Sequence, residues 1–410
     1  MNPKFYIVIP TRNRYNTLRY AVQTCLNQDY ENVEVIVSDN ASTDNTPQIT
    51  QVFNDKRLRY QRSEKLLPML YSWEFALSSV KEPGYVHFMG DDNGITPDAL
   101  QRVSQLIERT RLKIYLSSLI QYTWPNQTTK NGFLSIPKGE RVFVINSASA
   151  LKAAYNLTIG FDRMPTINAS FVHTSVIDRI KDIFGGHYFI ASNPDVCSAV
   201  ANACFEKEYV YTERPFVING ASVHSNGMQG GNSNNKSSFV DDNINGGYVY
   251  HPKFPPSKAY HLNVYEAFAK VSDYLKFKNI KSYSLNYPKL YRRFRDKEYL
   301  GMRRFWLYDD LVSFRNILGI KDEVTKLPAE NIVNDPTKNS IRLIENRGDS
   351  MAFYSNYITL QDINVIAHFS KDLLSNKDLL PSNFLKLSLK ERVKRFVIYR
   401  IVIKSKSFIM

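Results

Sequence analysis

Residues Tyr85–Leu100 read YVHFMGDDNGITPDAL, and the fold follows from how they are read. Tyr85, Val86, Phe88 and Met89 form a short apolar run suited to a strand covered on both faces. Gly90 loosens the backbone where that strand stops. Asp91 and Asp92 stand at its end, and Thr96-Pro97-Asp98 is a helix start, with Thr96 as cap and Pro97 in the first position. Two adjacent carboxylates at a strand end repel each other unless cationic groups lie beside them. A divalent metal gripping a substrate's phosphates is one resolution; a solvated acidic turn is the plainer one.

The stretch upstream repeats the theme. Phe5 to Ile9 is an apolar run closed by Pro10, followed by Thr11-Arg12-Asn13-Arg14. Leu18, Ala21, Val22, Cys25 and Leu26 then recur at helical spacing. Val33 to Val37 is a second buried strand ending in Ser38-Asp39-Asn40-Ala41-Ser42, and a helix is predicted from about Thr46-Pro47. Leu58 to Gln61 is a third strand and Leu70 to Val80 a third helix. Strands alternating with helices predict βαβ units and a Rossmann-like, mostly parallel sheet with flanking helices. In such sheets ligands bind beyond the carboxyl ends of the strands. Thr11–Arg14, Asp39–Ser42 and Asp91–Asn93 all fall there. No G-x-G-x-x-G or G-K-[ST] follows the first strand, so a nucleotide would be held by side chains and a metal. Asp39 could accept from a base N–H, and Arg12 or Arg14 could neutralise phosphate or stack on the base. Taken singly, Asp39–Ser42 could equally be an Asx turn that ends a strand.

In this order and spacing, VIPTRNR, SDNASTDNT and GDDNGITPDAL resemble the family 2 glycosyltransferases of GT-A fold. The likeness is good over roughly residues 4–110 and looser to about 230. It implies an inverting transferase using a nucleotide-diphospho-sugar and Mn²⁺ or Mg²⁺. It implies further that Pro10, Thr11, Arg14 and Asp39 surround the nucleotide, that Asp91 approaches the ribose, and that Asp92 holds the metal bridging the phosphates. One departure stands out: Gly90 and Asn93 replace the outer acids of the Asp-Xaa-Asp-Asp string many members carry.

Further along, Ile114 to Tyr122 and Arg141 to Ile145 are predicted strands and Ser147 to Tyr155 a helix. Ser192 to Phe205, SNPDVCSAVANACF, is a helix opened by Pro194 with Asp195 in its first turn. A carboxylate there complements the helix dipole. It also suits the general base that inverting transfer needs beside the acceptor hydroxyl, the position the resemblance implies; Asp162 and Glu206 are the other candidates. Residues 217–247 are rich in Gly, Asn and Ser and predict a mobile loop closing over the donor. In it His224 could reach the metal or the leaving diphosphate, and Ser222, Ser225 and Asn226 could donate to phosphate.

With 43% hydrophobic and 22% charged residues the 410-residue chain is globular, not disordered. Its charge is uneven: residues 251–410 hold 29 Lys+Arg against 16 Asp+Glu, and residues 1–250 hold 24 against 23. This predicts a GT-A catalytic domain over 1–245 and a mainly α-helical basic domain over 250–410 facing an anionic surface. Leu389, Val393, Phe396, Val397 and Ile401 share one face of a lysine- and arginine-rich stretch at about 386–406, the pattern of an interfacial helix on an anionic membrane. No nucleic-acid motif accompanies the aromatic and basic residues. The N-terminus reads as a strand, no apolar run reaches membrane-spanning length, and Cys25, Cys197 and Cys204 have no metal-like spacing. The expected location is cytoplasmic, peripheral to the inner face of the plasma membrane. The expected acceptor is a glycan or polyprenyl-linked glycan of a surface polysaccharide. The rival readings are a sugar-phosphate nucleotidyltransferase, which would want a glycine-rich phosphate loop, and a non-catalytic membrane- or polyanion-binding protein.

Overall fold

A computed structural model describes residues 2–125, 133–222, 225, 238–257, 259–295, 308–322, 350–354, 363 and 366–367. In chain order the strands are β1 (Phe5–Thr11), β2 (Val33–Asp39), β3 (Leu58–Arg62), β4 (Tyr85–Phe88), β5 (Gly94–Ile95), β6 (Ile114–Thr123), β7 (Phe133–Pro137), β8 (Val142–Asn146), β9 (Ser170–His173), β10 (Glu208–Ala221) and β11 (Ser350–Tyr354). The helices are α1 (Tyr15–Leu26), α2 (Ile49–Val52), α3 (Met69–Leu77), α4 (Ala99–Thr110), α5 (Ser147–Tyr155), α6 (Thr174–Ile183), α7 (Pro194–Phe205), α8 (Ser238–Asn245), α9 (Tyr260–Phe277), α10 (Tyr287–Arg295) and α11 (Tyr308–Ile317).

The expected α/β sheet is present, in two halves. β3-β2-β1-β4 are mutually parallel, with Phe5 opposite Val33 and Tyr85. Beyond β4 the sheet becomes mixed: β9 runs antiparallel to β4 and β6, while β10 runs parallel to β6 and antiparallel to β5 and β8. The parallel half follows from its apolar runs, since crossover helices cover both faces of its strands. Along β1 the side chains alternate. Phe5, Ile7 and Ile9 pack with α1 and α4, whereas Tyr6 and Val8 join the core under α3 and α7. Helix α4 starts at Ala99, two residues later than Pro97 predicted, because Gly94–Ile95 first pairs with β10 as β5.

The rear helices do not form a separate core. Leu262, Phe268, Val271 and Leu275 of α9, Leu290 and Phe294 of α10, and Phe314 of α11 lie in the same apolar cluster as Val196 and Val200 of α7. Tyr155 of α5 donates to the Phe268 carbonyl at 2.9 Å and meets Ser272 Oγ at 2.5 Å. Among the described residues the charge step near residue 250 does not mark a break in packing. Of the loop expected over 217–247, residues 217–221 are strand and 238–245 helix, while 226–237 lie outside the described residues. The amphipathic stretch 386–406 lies outside them too. Among the described residues no helix is long and apolar enough to cross a membrane.

Candidate active site

The carboxyl ends of β1, β2 and β4 bring the three polar clusters together. Asp91 is buried, and both its oxygens are taken: Thr11 Oγ1 donates at 2.7 Å and Arg14 Nη1 at 2.9 Å. Burial pushes the Asp91 carboxyl up, and the Arg14 charge opposes it. The neighbouring Asp91, in turn, raises the Arg14 guanidinium. The cation expected beside the paired acids is therefore, at Asp91, an arginine.

Asp39 is fully buried at the end of β2. It accepts from the Ser42 N–H at 2.9 Å, the Tyr60 hydroxyl at 2.6 Å and Arg62 Nη1 at 2.7 Å. Ser42 Oγ accepts from the Asn13 N–H at 2.9 Å, which binds the β1 and β2 loops together. Asn13 and Ala41 both take left-handed backbone, with φ of 54° and 53°; strained backbone of this kind is kept where surrounding contacts fix the loop. Asn40 is pinned on both sides of its amide, to the Leu67 carbonyl and the Leu67 N–H. Pro10 stands opposite Ser38 in the β1–β2 register. Arg12 turns outward and pairs with Asp242 of α8 at 3.7 Å. Sequence reasoning passed over Tyr60, inside the strand predicted over Leu58 to Gln61, and Arg62, which the observed β3 adds one residue beyond it; both stand one step across the sheet from β2.

Asp92 differs from Asp91. It is nearly buried, and one of its oxygens accepts from Ser222 Oγ at 2.7 Å and Ser225 Oγ at 3.0 Å. Its own backbone carbonyl accepts from Trp124 Nε1 at 2.9 Å. Gly220 makes this approach possible, since a Cβ there would stand 1.8 Å from the Asp92 carbonyl oxygen. The Asn93 side chain accepts from the Gly220 N–H at 2.8 Å. Among the described residues no three His, Cys, Asp or Glu side chains form a metal cluster; His224 lies outside them. One carboxylate ringed by hydroxyl oxygens is nevertheless a hard-oxygen donor set. It suits Mg²⁺ or Mn²⁺ whose remaining positions are filled by water and substrate phosphate.

Asp195 reaches the same end of the sheet through the stretch preceding β9. The Phe88 N–H donates to the Ile167 carbonyl at 3.2 Å, and the Ile167 N–H to Ser198 Oγ of α7 at 3.0 Å. Thr166 Oγ1 donates to the Asp195 carbonyl at 2.9 Å. The Asp195 side chain accepts from the Val196 N–H at 2.8 Å. Burial pushes its carboxyl up to about 6, against only partial relief from backbone N–H groups. Glu206 caps the opposite end of α7 from Asp195 and pairs with Arg179 and Lys113. Asp162 stays exposed beside Arg163.

Residues 6–163 match the family model for glycosyl transferase family 2. The match covers less than half of the chain. Two curated relatives align with part of the chain. The minor teichoic acid biosynthesis protein GgaA of Bacillus subtilis is 34% identical over 108 residues, 24% of each chain. The GalNAc(5)-diNAcBac-PP-undecaprenol beta-1,3-glucosyltransferase of Campylobacter jejuni is 27% identical over 128 residues, 29% of this chain and 39% of its own. The chain thus spans well under half the length of the curated relatives it matches. Among solved structures, S. aureus TarS 1-349 in complex with UDP-GlcNAc superposes with a TM-score of 0.50 at 16% identity, covering 77% of this chain and 80% of that one. At that identity the likeness concerns the fold, and it supports the GT-A architecture of the segment that matches family 2.

Proposed function

We propose that the chain is an inverting glycosyltransferase that moves a sugar from a nucleotide-diphospho-sugar to a hydroxyl of a glycan or lipid-linked glycan. One observation carries this reading. The strand ends of the segment that matches family 2 gather Thr11, Arg14, Asp39, Asp91 and Asp92, and α7 presents Asp195, an acid of raised pKa, at the same end. Pro10, Thr11, Arg12, Arg14, Asp39, Asn40, Ser42 and Asp91 form the nucleotide-sugar site. Asp39 meets a base only if Arg62, whose side chain is 39% exposed, gives way. Asp92, with Ser222 and Ser225 around it, would hold Mn²⁺ or Mg²⁺, and His224 is a further ligand candidate. Bound there, the metal would neutralise charge on the diphosphate leaving group.

In the transfer itself, Asp195 takes the proton of the acceptor hydroxyl. The hydroxyl oxygen bonds to the anomeric carbon, and the bond from that carbon to the diphosphate breaks with its electron pair leaving on the nucleotide. A pKa near 6 suits a general base, because the group is ionised at neutral pH and still basic enough to accept a proton as the new bond forms. The functions of the two relatives favour a surface glycan or teichoic acid product and a polyprenyl-linked acceptor. The basic stretch 386–406 favours work at an anionic membrane surface, peripherally on its cytoplasmic face.

Thermal unfolding with UDP, GDP, CDP or TDP, each with and without Mn²⁺, tests the donor site. One nucleotide is expected to raise the melting temperature only when metal is present; at 100 times its dissociation constant a ligand adds about 2.7 kcal/mol. Asp92→Ala should abolish the metal-dependent part. No shift with any nucleotide contradicts the reading.

A further inference from the structure

The donor half of the site is built from β1, β2 and β4. Helix α7, which carries Asp195, is contacted by the 3₁₀ turn Phe161–Arg163 and by α9, whose first residue is Tyr260. Phe161 and Tyr260 are both half-buried, with ring centroids 6.4 Å apart at 58°. The turn is held in place: the Met164 N–H returns to the Phe161 carbonyl at 2.8 Å, Tyr209 donates to the Arg163 carbonyl at 2.9 Å, and Arg163 Nη1 reaches the Tyr211 hydroxyl at 2.8 Å. Three residues beyond Arg163, Thr166 is hydrogen-bonded to Asp195.

Among the described residues the Tyr260 hydroxyl has no hydrogen-bond partner, although the ring lies deep enough for burial to raise its pKa well above the ordinary value. The charges of Asp195 and Asp162 raise it further, so both acids lie within electrostatic reach of this one phenol. The Asp162 side chain is 63% exposed. Two half-buried aromatic rings, the Tyr260 phenol and the exposed Asp162 carboxylate are thus grouped beside the helix that carries Asp195. A pyranose ring has the matching chemistry, with an apolar C–H face to lie on an aromatic ring and hydroxyls at its rim to donate and accept.

We propose that Phe161, Asp162 and Tyr260 form the subsite for the terminal sugar ring of the acceptor, laying that ring on Phe161 and Tyr260 so that one hydroxyl points at Asp195. This rests on the transferase reading and extends it: α9, from the basic rear part of the chain, completes the catalytic site. Tyr260 donates to a ring hydroxyl, and Asp162 accepts from another.

Saturation-transfer NMR on the full chain, with the methyl β-glycosides of glucose, galactose, N-acetylglucosamine and N-acetylgalactosamine, tests the subsite. The wild-type chain is expected to bind at least one. Phe161→Ala and Tyr260→Ala should weaken that binding at least fivefold, Tyr260→Phe by less, and Asp92→Ala should leave it in place. Phe161→Leu, which keeps the apolar bulk and loses the ring face, guards against a folding defect. Each variant at Phe161 or Tyr260 should keep the metal-dependent melting shift with nucleotide. No binding of any glycoside, or binding unchanged in Phe161→Leu and Tyr260→Ala, overturns the subsite. Glycoside binding that responds to these substitutions in a chain no nucleotide stabilises would uphold the sugar subsite and overturn the transferase reading.

Discussion

Asp91 and Asp195 are both acids at the rim of one crevice, and their surroundings differ. Asp91 has a hydroxyl on one oxygen and a guanidinium on the other. Asp195 has backbone N–H groups and nothing charged to offset its burial. Burial raises the pKa of both; at Asp91 the Arg14 charge works against that rise, and the ion pair ties the β1 loop to the end of β4. A carboxylate left short of partners is poised to take a proton near neutral pH. Asp39 shares with Asp91 an arginine partner, Arg62, besides the Ser42 N–H and the Tyr60 hydroxyl. The strand-end acids Asp39 and Asp91 are thus fixed by their own ion pairs, whereas Asp195 has none among the described residues.

Substitutions that exchange these roles should separate the two acids. The largest effect is expected on turnover. Asp195→Asn keeps the shape and removes the base, so transfer should fall about 10²- to 10⁴-fold while the nucleotide melting shift persists. Retained turnover would place the base elsewhere. Next comes Arg14→Met, which strands Asp91 as a buried charge. Urea unfolding should show a loss of about 3–5 kcal/mol, and adding Asp91→Asn should restore part of it. If Arg14→Met proves neutral, the ion pair does not hold the loop.

Gly220→Ala comes third. Its Cβ would collide with the Asp92 carbonyl oxygen, so a cost of about 1–3 kcal/mol and weaker metal-dependent nucleotide binding are expected together. Binding that stays intact would show that β10 does not set the position of Asp92. The smallest effect has the opposite sign. The folded-state pKa of Asp195 is raised to about 6, so its favourable contribution is full below its unfolded pKa and is lost as pH rises through about 6. At pH 7 the ionised side chain is a burden, and Asp195→Asn should be more stable by about 1–2 kcal/mol after allowing for partial exposure. At pH 4 the two chains should have nearly equal stability.

The same contrast explains what the sequence reveals. β1, β2, β3 and β4 are legible because each is a short apolar run, and a polar cluster after such a run must lie at a strand end. Asp195 is legible because Pro194 opens its helix. The partners of Asp92 come from residues 222 and 225, across 130 and 133 positions of chain, and no local pattern encodes that contact. The mixed half of the sheet is hidden for a similar reason: β10 shifts register against β6 between Thr212 and Val217 and pairs with β5 and β8 as well. Tyr260 stays out of sight because the charge step near 250 suggests a boundary, whereas the packing of α9 on α7 depends on apolar residues such as Phe268 and Val271.

Asp195 is the carboxylate proposed to take the acceptor's proton, and its burial, with only backbone N–H groups beside it, raises its pKa to about 6. Carbon-13 NMR of the chain with labelled aspartate carboxyls, followed from pH 3 to 9, measures this directly and needs no substrate. A resonance titrating near 6 should vanish in Asp195→Asn, with all other signals in place. An Asp195 resonance that titrates near the ordinary value of about 3.9 would contradict the account.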